Sequence, residues 1–294
     1  MSEKGCRIPK LIIVGAGLIG GSFSLALKRR GAVGEVLGIG RNRDTLERAQ
    51  SLGVIDRVGA MDRETLGGAT LVLLATPVGQ MQGVMLSLLP HLDDDTIVTD
   101  GGSTKQDVIA IARQCLGVRF PQFVPGHPIA GTERSGPEAA FPELYENKRV
   151  VLTPLAETRA SFVALVRAAW ETCGARVTQM EPALHDTVLA AVSHLPHLLS
   201  FALVEGLSSQ ATGELMFSFA GGGFRDFTRI ASSNPEMWRD ISIANRVALG
   251  AELTRYRQSL DALQRMVDDA DAEGLGKVFE RARAARERWL QSQS

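Results

Sequence analysis

Apolar positions follow two rhythms along this chain, and the change between them divides it. Up to about residue 180, short apolar runs alternate with stretches of helical period. Leu11–Val14, Val36–Ile39, Leu71–Ala75, Thr96–Thr99, Gln122–Val124, Arg149–Leu152 and Arg176–Gln179 read as strands. Helical patterns run from the glycines after Val14 to about Arg30, and over Thr45–Leu52, Met81–Leu89 and Arg159–Cys173. Unbroken apolar strands alternating with helices predict an α/β domain, with a doubly wound, mostly parallel sheet covered on both faces. From Pro182 onward only helical patterns remain. The predicted organisation is an α/β domain over residues 1–180 and an all-α domain over 181–294. Within the latter, Leu249, Leu253, Tyr256, Leu260, Leu263 and Val267 are spaced in alternating steps of four and three. That is a coiled-coil-like seam, suited to packing within one bundle or to a dimer interface.

Composition narrows the setting. With 294 residues the chain has room for two domains. Apolar residues make up 45% and charged residues 22%, with a formal net charge of −1, so nothing points to nucleic acid or an anionic membrane. The basic stretch Arg281–Arg288 is interrupted by Glu287 and follows Glu280, as on a solvated helix face. No apolar run reads as long enough to span a bilayer, and the first six residues hold no apolar leader core. Cys6, Cys115 and Cys173 are odd in number and far apart, so neither a disulfide framework nor a metal set is predicted. The expectation is a reduced, cytoplasmic protein.

Gly15-Ala16-Gly17-Leu18-Ile19-Gly20 follows a predicted strand and opens a predicted helix. Gly15 permits a tight turn, Gly17 lets a pyrophosphate approach the backbone, and Gly20 lets helix and strand pack closely. The anion would sit at the helix N-terminus. A Rossmann-type dinucleotide site is expected here, holding NAD or NADP. At the end of the second strand stands Arg41, with no acid until Asp44. Arg41 suits a 2′-phosphate and tips the expectation toward NADP, although stacking on adenine would serve NAD as well. Thr76 and Pro77 end another strand at the carboxyl edge of the sheet, where they would border the nicotinamide ribose.

Histidine is scarce and grouped. Of five in the chain, His127 lies in a Gly126–Glu133 segment that reads as a turn, and His185, His194 and His197 fall within thirteen residues. Imidazole titrates near neutrality, so these are the natural proton carriers. Zinc is disfavoured: His185 is nine residues before His194, about 180° round a straight helix, and Pro196 disturbs the helix beside the pair. No further Cys or carboxylate at ligand spacing completes a set. Two other polar segments stand out, Asp100-Gly101-Gly102-Ser103-Thr104-Lys105 after a strand, and Arg225–Ala231 followed by Pro235–Arg239.

The glycine loop, Asp100–Lys105, Gly126–Glu133, Ser193–His197 and Arg225–Trp238 together resemble the prephenate/arogenate dehydrogenase family of tyrosine biosynthesis, over about residues 10–250. The resemblance implies oxidative decarboxylation. A cyclohexadienol ring carbon gives hydride to a nicotinamide, the ring hydroxyl loses its proton, and the ring carboxylate leaves as CO2. It assigns proton acceptance to His127, with Ser103 orienting that ring and the substrate hydroxyl. Arg229 would bind the ring carboxylate, with Arg225 as its competitor. His185, His194, His197 and Trp238 would line the pocket, and Glu133 would gate it or tune its charge. The small-molecule substrate would be prephenate or arogenate, and the helical domain would form a homodimer. Two readings compete. One is a dehydrogenase for β-hydroxyacids; such enzymes lean on a lysine in the helical region, and Leu184–Ser209 has none. The other is a non-catalytic NAD(P)-sensing protein, which would have no need of His127, Ser103 and Arg229 together.

Overall fold

The computed structural model describes residues 7–292. Cys6 and the segment read for a leader lie outside the described residues. The chain opens with β1 (Ile8–Val14), α1 (Leu18–Arg29), β2 (Val33–Ile39), α2 (Arg43–Ser51) and the two-residue β3 (Arg57–Val58). Then come α3 (Arg63–Leu66), β4 (Leu71–Leu74), α4 (Met81–Leu88), β5 (Ile97–Asp100), α5 (Gln106–Leu116) and β6 (Phe123–Val124). These six strands form one sheet in the order β3-β2-β1-β4-β5-β6, every pairing parallel.

The apolar runs follow from burial on both faces. Leu11 and Ile13 of β1 belong to one core cluster, and Ile12 and Val14 to the other. Leu71 and Leu73 of β4 separate from Val72 and Leu74 in the same way. Successive side chains point to opposite faces, so a strand covered on both sides must be apolar throughout. The strand order reverses between β1 and β4, which opens a crevice at their carboxyl ends.

The remaining strands do not join this sheet. β7 (Gly126–Ile129), β8 (Arg149–Leu152) and β9 (Arg176–Gln179) form a second one, with β7 antiparallel and β9 parallel to β8, and α6 (Ala160–Thr172) lies between β8 and β9 in the chain. The segment around His127, expected as a turn, is therefore a strand. Pro128 cannot donate to a ladder and is tolerated because β7 is an edge strand. An aromatic group ties this region to the first sheet's helices. Trp170 of α6 packs on Phe23 of α1 (ring centroids 4.4 Å apart) and edge-on against Tyr145 (5.0 Å). The Tyr145 hydroxyl donates to the Ile19 carbonyl at 2.6 Å.

Beyond β9 the chain is helical: α7 (Pro182–Leu189), a π-helical turn (Ala190–His194), α8 (Leu195–Ser208), α9 (Gly213–Ser218), α10 (Gly222–Thr228), α11 (Pro235–Ala244), α12 (Arg246–Asp268) and α13 (Ala272–Gln291). The π turn absorbs Pro196. A proline has no N–H for the helical ladder and crowds the carbonyl four residues earlier, and a wider turn at that place relieves both. Contrary to expectation, the 27-residue run Pro182–Ser208 is long enough to cross a membrane and contains an 18-residue window of mean hydropathy 1.6, apolar enough by composition to do so. It nevertheless carries His185, Asp186 and His194 on a buried polar face. The chain falls into two compact units, one ending at Arg246 and the other starting at Val247.

Trp170 is fully buried. Trp170→Ala should lower unfolding free energy by about 3–5 kcal/mol in a urea titration. A loss below about 1 kcal/mol would show that the ring is not part of the core.

Candidate active site

A cavity of about 630 Å³ opens at the carboxyl ends of β1, β2 and β4. Gly15, Gly17, Arg41, Thr76, Pro77 and Gln80 all line it. Gly15 has φ +98°, and a Cβ there would stand 2.6 Å from the Ala75 carbonyl oxygen. Nothing lies within 4 Å of a Cβ placed on Gly17, which faces open space. Among the described residues no side chain caps α1, which leaves its first N–H groups for an anion. Thr76 Oγ1 and Gln80 Nε2 are buried in the lining without a partner among the described residues. The cradle fits a dinucleotide. Leu18 and Ile19 are not part of the lining; both pack against the core from the first turn of α1. Gln80 was missed by sequence reasoning, since a glutamine following a strand-ending proline carries no signal of its own.

Beside this cavity β5 ends on Asp100. Asp100 and Lys105 are an ion pair with no exposure on either side chain. Asp100 Oδ2 also accepts from the Gly102 N–H at 2.8 Å, and Oδ1 from the Gly126 N–H at 3.0 Å. Lys105 Nζ donates to the Gly126 carbonyl at 2.7 Å. Between them, Gly101 and Gly102 pass close to Ile19, Pro128, Val78 and Met81, and a Cβ on Gly102 would stand 2.8 Å from Asp100 Oδ2. The turn thus lies between the start of α1, the segment after β4 and Pro128, the residue that follows His127.

His127 is held by a chain of three hydrogen-bonded groups. Its Nδ1 lies 2.9 Å from His185 Nε2, and His185 Nδ1 lies 2.8 Å from Asp186 Oδ1. Asp186 further accepts from the Lys105 N–H (2.8 Å, Oδ1) and the Gln106 N–H (2.9 Å, Oδ2). Burial opposes its charge, but the bonds from His185, Gln106 and Lys105 outweigh this and hold the carboxyl below its ordinary range. A carboxylate only accepts, so the network assigns a proton to His185 Nδ1. In the tautomer that carries its one proton on Nδ1, His185 accepts at Nε2 from His127 Nδ1–H. The lone pair on His127 Nε2 is then left free to accept a proton. Desolvation, followed by His185, Lys105 and His194, pushes His127 well below the usual imidazole value. It is His185, rather than Ser103, that hydrogen-bonds this ring; Ser103 stands half-buried in the Asp100–Lys105 turn. The adjacency of His185 to Asp186 was the one signal the sequence offered.

A second group stands on the helical side. Asn245 Nδ2 donates to His194 Nδ1 at 3.0 Å and to the Asp186 carbonyl at 2.8 Å. His194 Nε2–H is therefore a buried donor, without a partner among the described residues, and so is Trp238 Nε1–H. His194 meets Trp238 edge-on at 6.0 Å, and His197 stacks on it at 3.5 Å. His197 Nδ1–H donates to the Ser193 carbonyl at 3.0 Å. Burial lowers His197 and pushes His194 down to about 4. Arg229 forms an ion pair with Glu133, in the segment after β7. Arg225 is exposed on α10. His127 thus meets His185, Trp238 meets His194 and His197, and Asp186 and Asn245 bridge the two groups, while Arg229 is held on Glu133, six residues along the chain from His127.

Comparison with known proteins gives a consistent picture. The domain described as "Prephenate dehydrogenase, nucleotide-binding domain" matches residues 23–179, and "Prephenate dehydrogenase, dimerization domain" matches residues 181–281. The chain is 38% identical to the prephenate dehydrogenase of Bacillus subtilis over 94% of its own length and 75% of the relative's. It is 36% identical to the cyclohexadienyl dehydrogenase of Zymomonas mobilis, over 94% of each. Among solved structures, prephenate dehydrogenase from A. aeolicus in complex with hydroxyphenyl propionate and NAD+ superposes with a TM-score of 0.91 at 37% identity, covering 97% of this chain and 99% of that one. Synechocystis arogenate dehydrogenase gives 0.79 at 32% identity, covering 95% and 99%.

The buried histidines give the site a pH signature that needs no ligand. In the unfolded chain they titrate near 6.5; folded, His127 and His194 stay neutral to much lower pH. Below 6.5 the unfolded state binds more protons, so stability is lost as pH falls toward about 4. His194 alone should account for about 2 kcal/mol of the loss between pH 7 and pH 5. Denaturant unfolding of wild type and His194→Asn at both pH values checks this, and equal losses in the two proteins would refute it.

Proposed function

Because the chain belongs to the prephenate dehydrogenase family, we propose that Asp186, His185 and His127 form the relay that takes the ring-hydroxyl proton of its cyclohexadienol substrate. The protein is an NAD(P)-dependent oxidoreductase of the prephenate/arogenate dehydrogenase class, acting in tyrosine biosynthesis. The observation that carries the proposal is the hydrogen-bond order from Asp186 to His127, which frees Nε2 for a proton.

Gly15, Gly17 and the open first turn of α1 would hold the pyrophosphate, and Thr76, Pro77 and Gln80 the ribose-bearing remainder. The nicotinamide, when bound, supplies the hydride acceptor. His127 Nε2 takes the hydroxyl proton as the ring carbon gives up hydride. The imidazolium so formed keeps its Nδ1–H on His185, with the negative charge of Asp186 behind it. Loss of the ring carboxylate as CO2 leaves its bonding pair in the ring, which becomes aromatic, and His127 can return the proton to the phenolate oxygen. In our reading Ser103 shares the substrate hydroxyl with His127. Arg229 binds the ring carboxylate, which competes with Glu133 for the guanidinium, and Arg225 is its rival for that role. His194, His197 and Trp238 wall the remainder of the pocket.

Three finer points belong to the same proposal. Arg41 lines the cavity at the end of β2 without an acidic neighbour in the lining, which favours NADP over NAD. Residues 1–180 serve the cofactor, and 181–294 serve substrate binding and dimerisation. Leu260 and Val267 of the α12 seam are 46% and 62% exposed, apolar surface that a second copy would cover. We read the protein as a cytoplasmic homodimer.

Following reduced cofactor with prephenate and with arogenate, each with NAD and NADP, tests the reading; no turnover in any of the four would overturn it. His127→Asn should fold but lose about 10²–10⁴ in kcat. Arg229→Ala should chiefly raise KM, because it removes binding present before the chemical step; an unchanged KM transfers the role to Arg225. Arg41→Ala should lower kcat/KM for NADP at least about tenfold and leave NAD nearly untouched. Equal losses would instead mean that Arg41 stacks on the adenine.

A further inference from the structure

We infer that Lys105, with Asp100, is a positioning device for the proton-accepting His127, a role resting on the assignment of His127 as the base. The residue before His127, Gly126, is fixed at both of its polar backbone groups by this pair. Its N–H goes to Asp100 Oδ1 at 3.0 Å and its carbonyl to Lys105 Nζ at 2.7 Å. Gly126 stands on β7, the edge strand of the second sheet, while Asp100 ends β5 of the first. The two sheets share no ladder, so the ion pair supplies the hydrogen bonds that a neighbouring strand would otherwise give.

Lys105 also acts from the other end of the relay. Its backbone N–H donates to Asp186 Oδ1 at 2.8 Å, the same oxygen that receives His185 Nδ1. One residue therefore sets the main chain carrying His127 and the carboxylate behind its partner. A stability role alone is a poor account of the pair. Desolvating two charges costs several kcal/mol per ion, and apolar replacement of such pairs is often neutral or better.

The ammonium contributes electrostatically too. His127 faces His185 of α7, which Asp186 backs, and feels His194 of the π turn and Lys105 of the turn before α5. Of these, Lys105 is the fixed cation, and it opposes a second positive charge on the imidazole. Removing it makes His127 more basic, so more of it is protonated at a given pH.

The test uses the full-length enzyme with Lys105→Met and the charge-neutral double variant Lys105→Met/Asp100→Asn. Rates are expressed per folded site after circular dichroism and cofactor titration. In Lys105→Met we expect kcat to fall at least about tenfold with KM and cofactor Kd within about twofold. The acid limb of the kcat–pH profile should move up by about one unit. In the double variant kcat stays low, because the clamp on Gly126 is gone, while the acid limb returns toward wild type. The double variant carries the test if the single one fails to fold. Wild-type kcat per folded site in either variant, or an unmoved acid limb in Lys105→Met, overturns the inference. If His127→Asn itself keeps full turnover, the base assignment fails; a dead His127→Asn beside a wild-type-like Lys105→Met removes only the role of Lys105.

Discussion

The carboxylate of Asp186 is the group on which the rest of this structure depends. No side chain from the turn before α5 caps that helix; the cap comes from α7, eighty residues further on, as Asp186 receives the Lys105 and Gln106 N–H groups. The same carboxylate orients His185, and the Asp186 carbonyl receives Asn245. Removing it would leave buried helix-terminal donors unsatisfied, at about 1–3 kcal/mol each, and would release the relay as well. The join between sheet and helices and the orientation of the His185–His127 pair are set by one group.

The electrostatics of the site follow from its dryness. His127 and His194 are kept neutral chiefly by desolvation. The proposed base, His127, is thereby unprotonated throughout the neutral range, though weaker for it. That weakness is tolerable where the reaction ends in an aromatic ring and the loss of CO2. The demand on the protein is then alignment and the correct protonation state, which rigid burial supplies, rather than great proton affinity.

Much of the fold was legible because burial on both faces writes itself as unbroken apolar runs, as in Leu11–Val14 and Leu71–Leu74. What escaped had weak or contrary local signals. β3 is two residues long, and β7 contains glycine and proline, which read as a turn until the edge position of Pro128 is known. The separation of β7–β9 from the main sheet is a matter of tertiary pairing and has no local mark. At the site, His127, Ser103, Arg229 and Trp238 were picked out by resemblance, and the glycine loop by its spacing. The partnership of His185 with His127 has no local mark, because it joins a strand to a helix 58 residues further along the chain. The burial of Lys105 and Asp100 was hidden too, since charged residues in a loop are ordinarily solvated.

The π turn at Ala190–His194 has a bearing on how this chain can change over time. Surface helices usually tolerate small changes in length, because their solvent face asks little of phase. Here a single residue of surplus lies between His185–Asp186, anchored to α5 and β7, and His194–His197, anchored to Asn245 and Trp238. Dropping one residue would restore a regular helix and the backbone bonds that a wide turn forgoes, yet would rotate everything beyond it by about 100°. The locally more stable helix would be the one that pulls the two histidine groups apart. Length is thus fixed in this stretch more firmly than residue identity, and among variants of this chain insertions and deletions should be rarer between residues 186 and 197 than substitutions are.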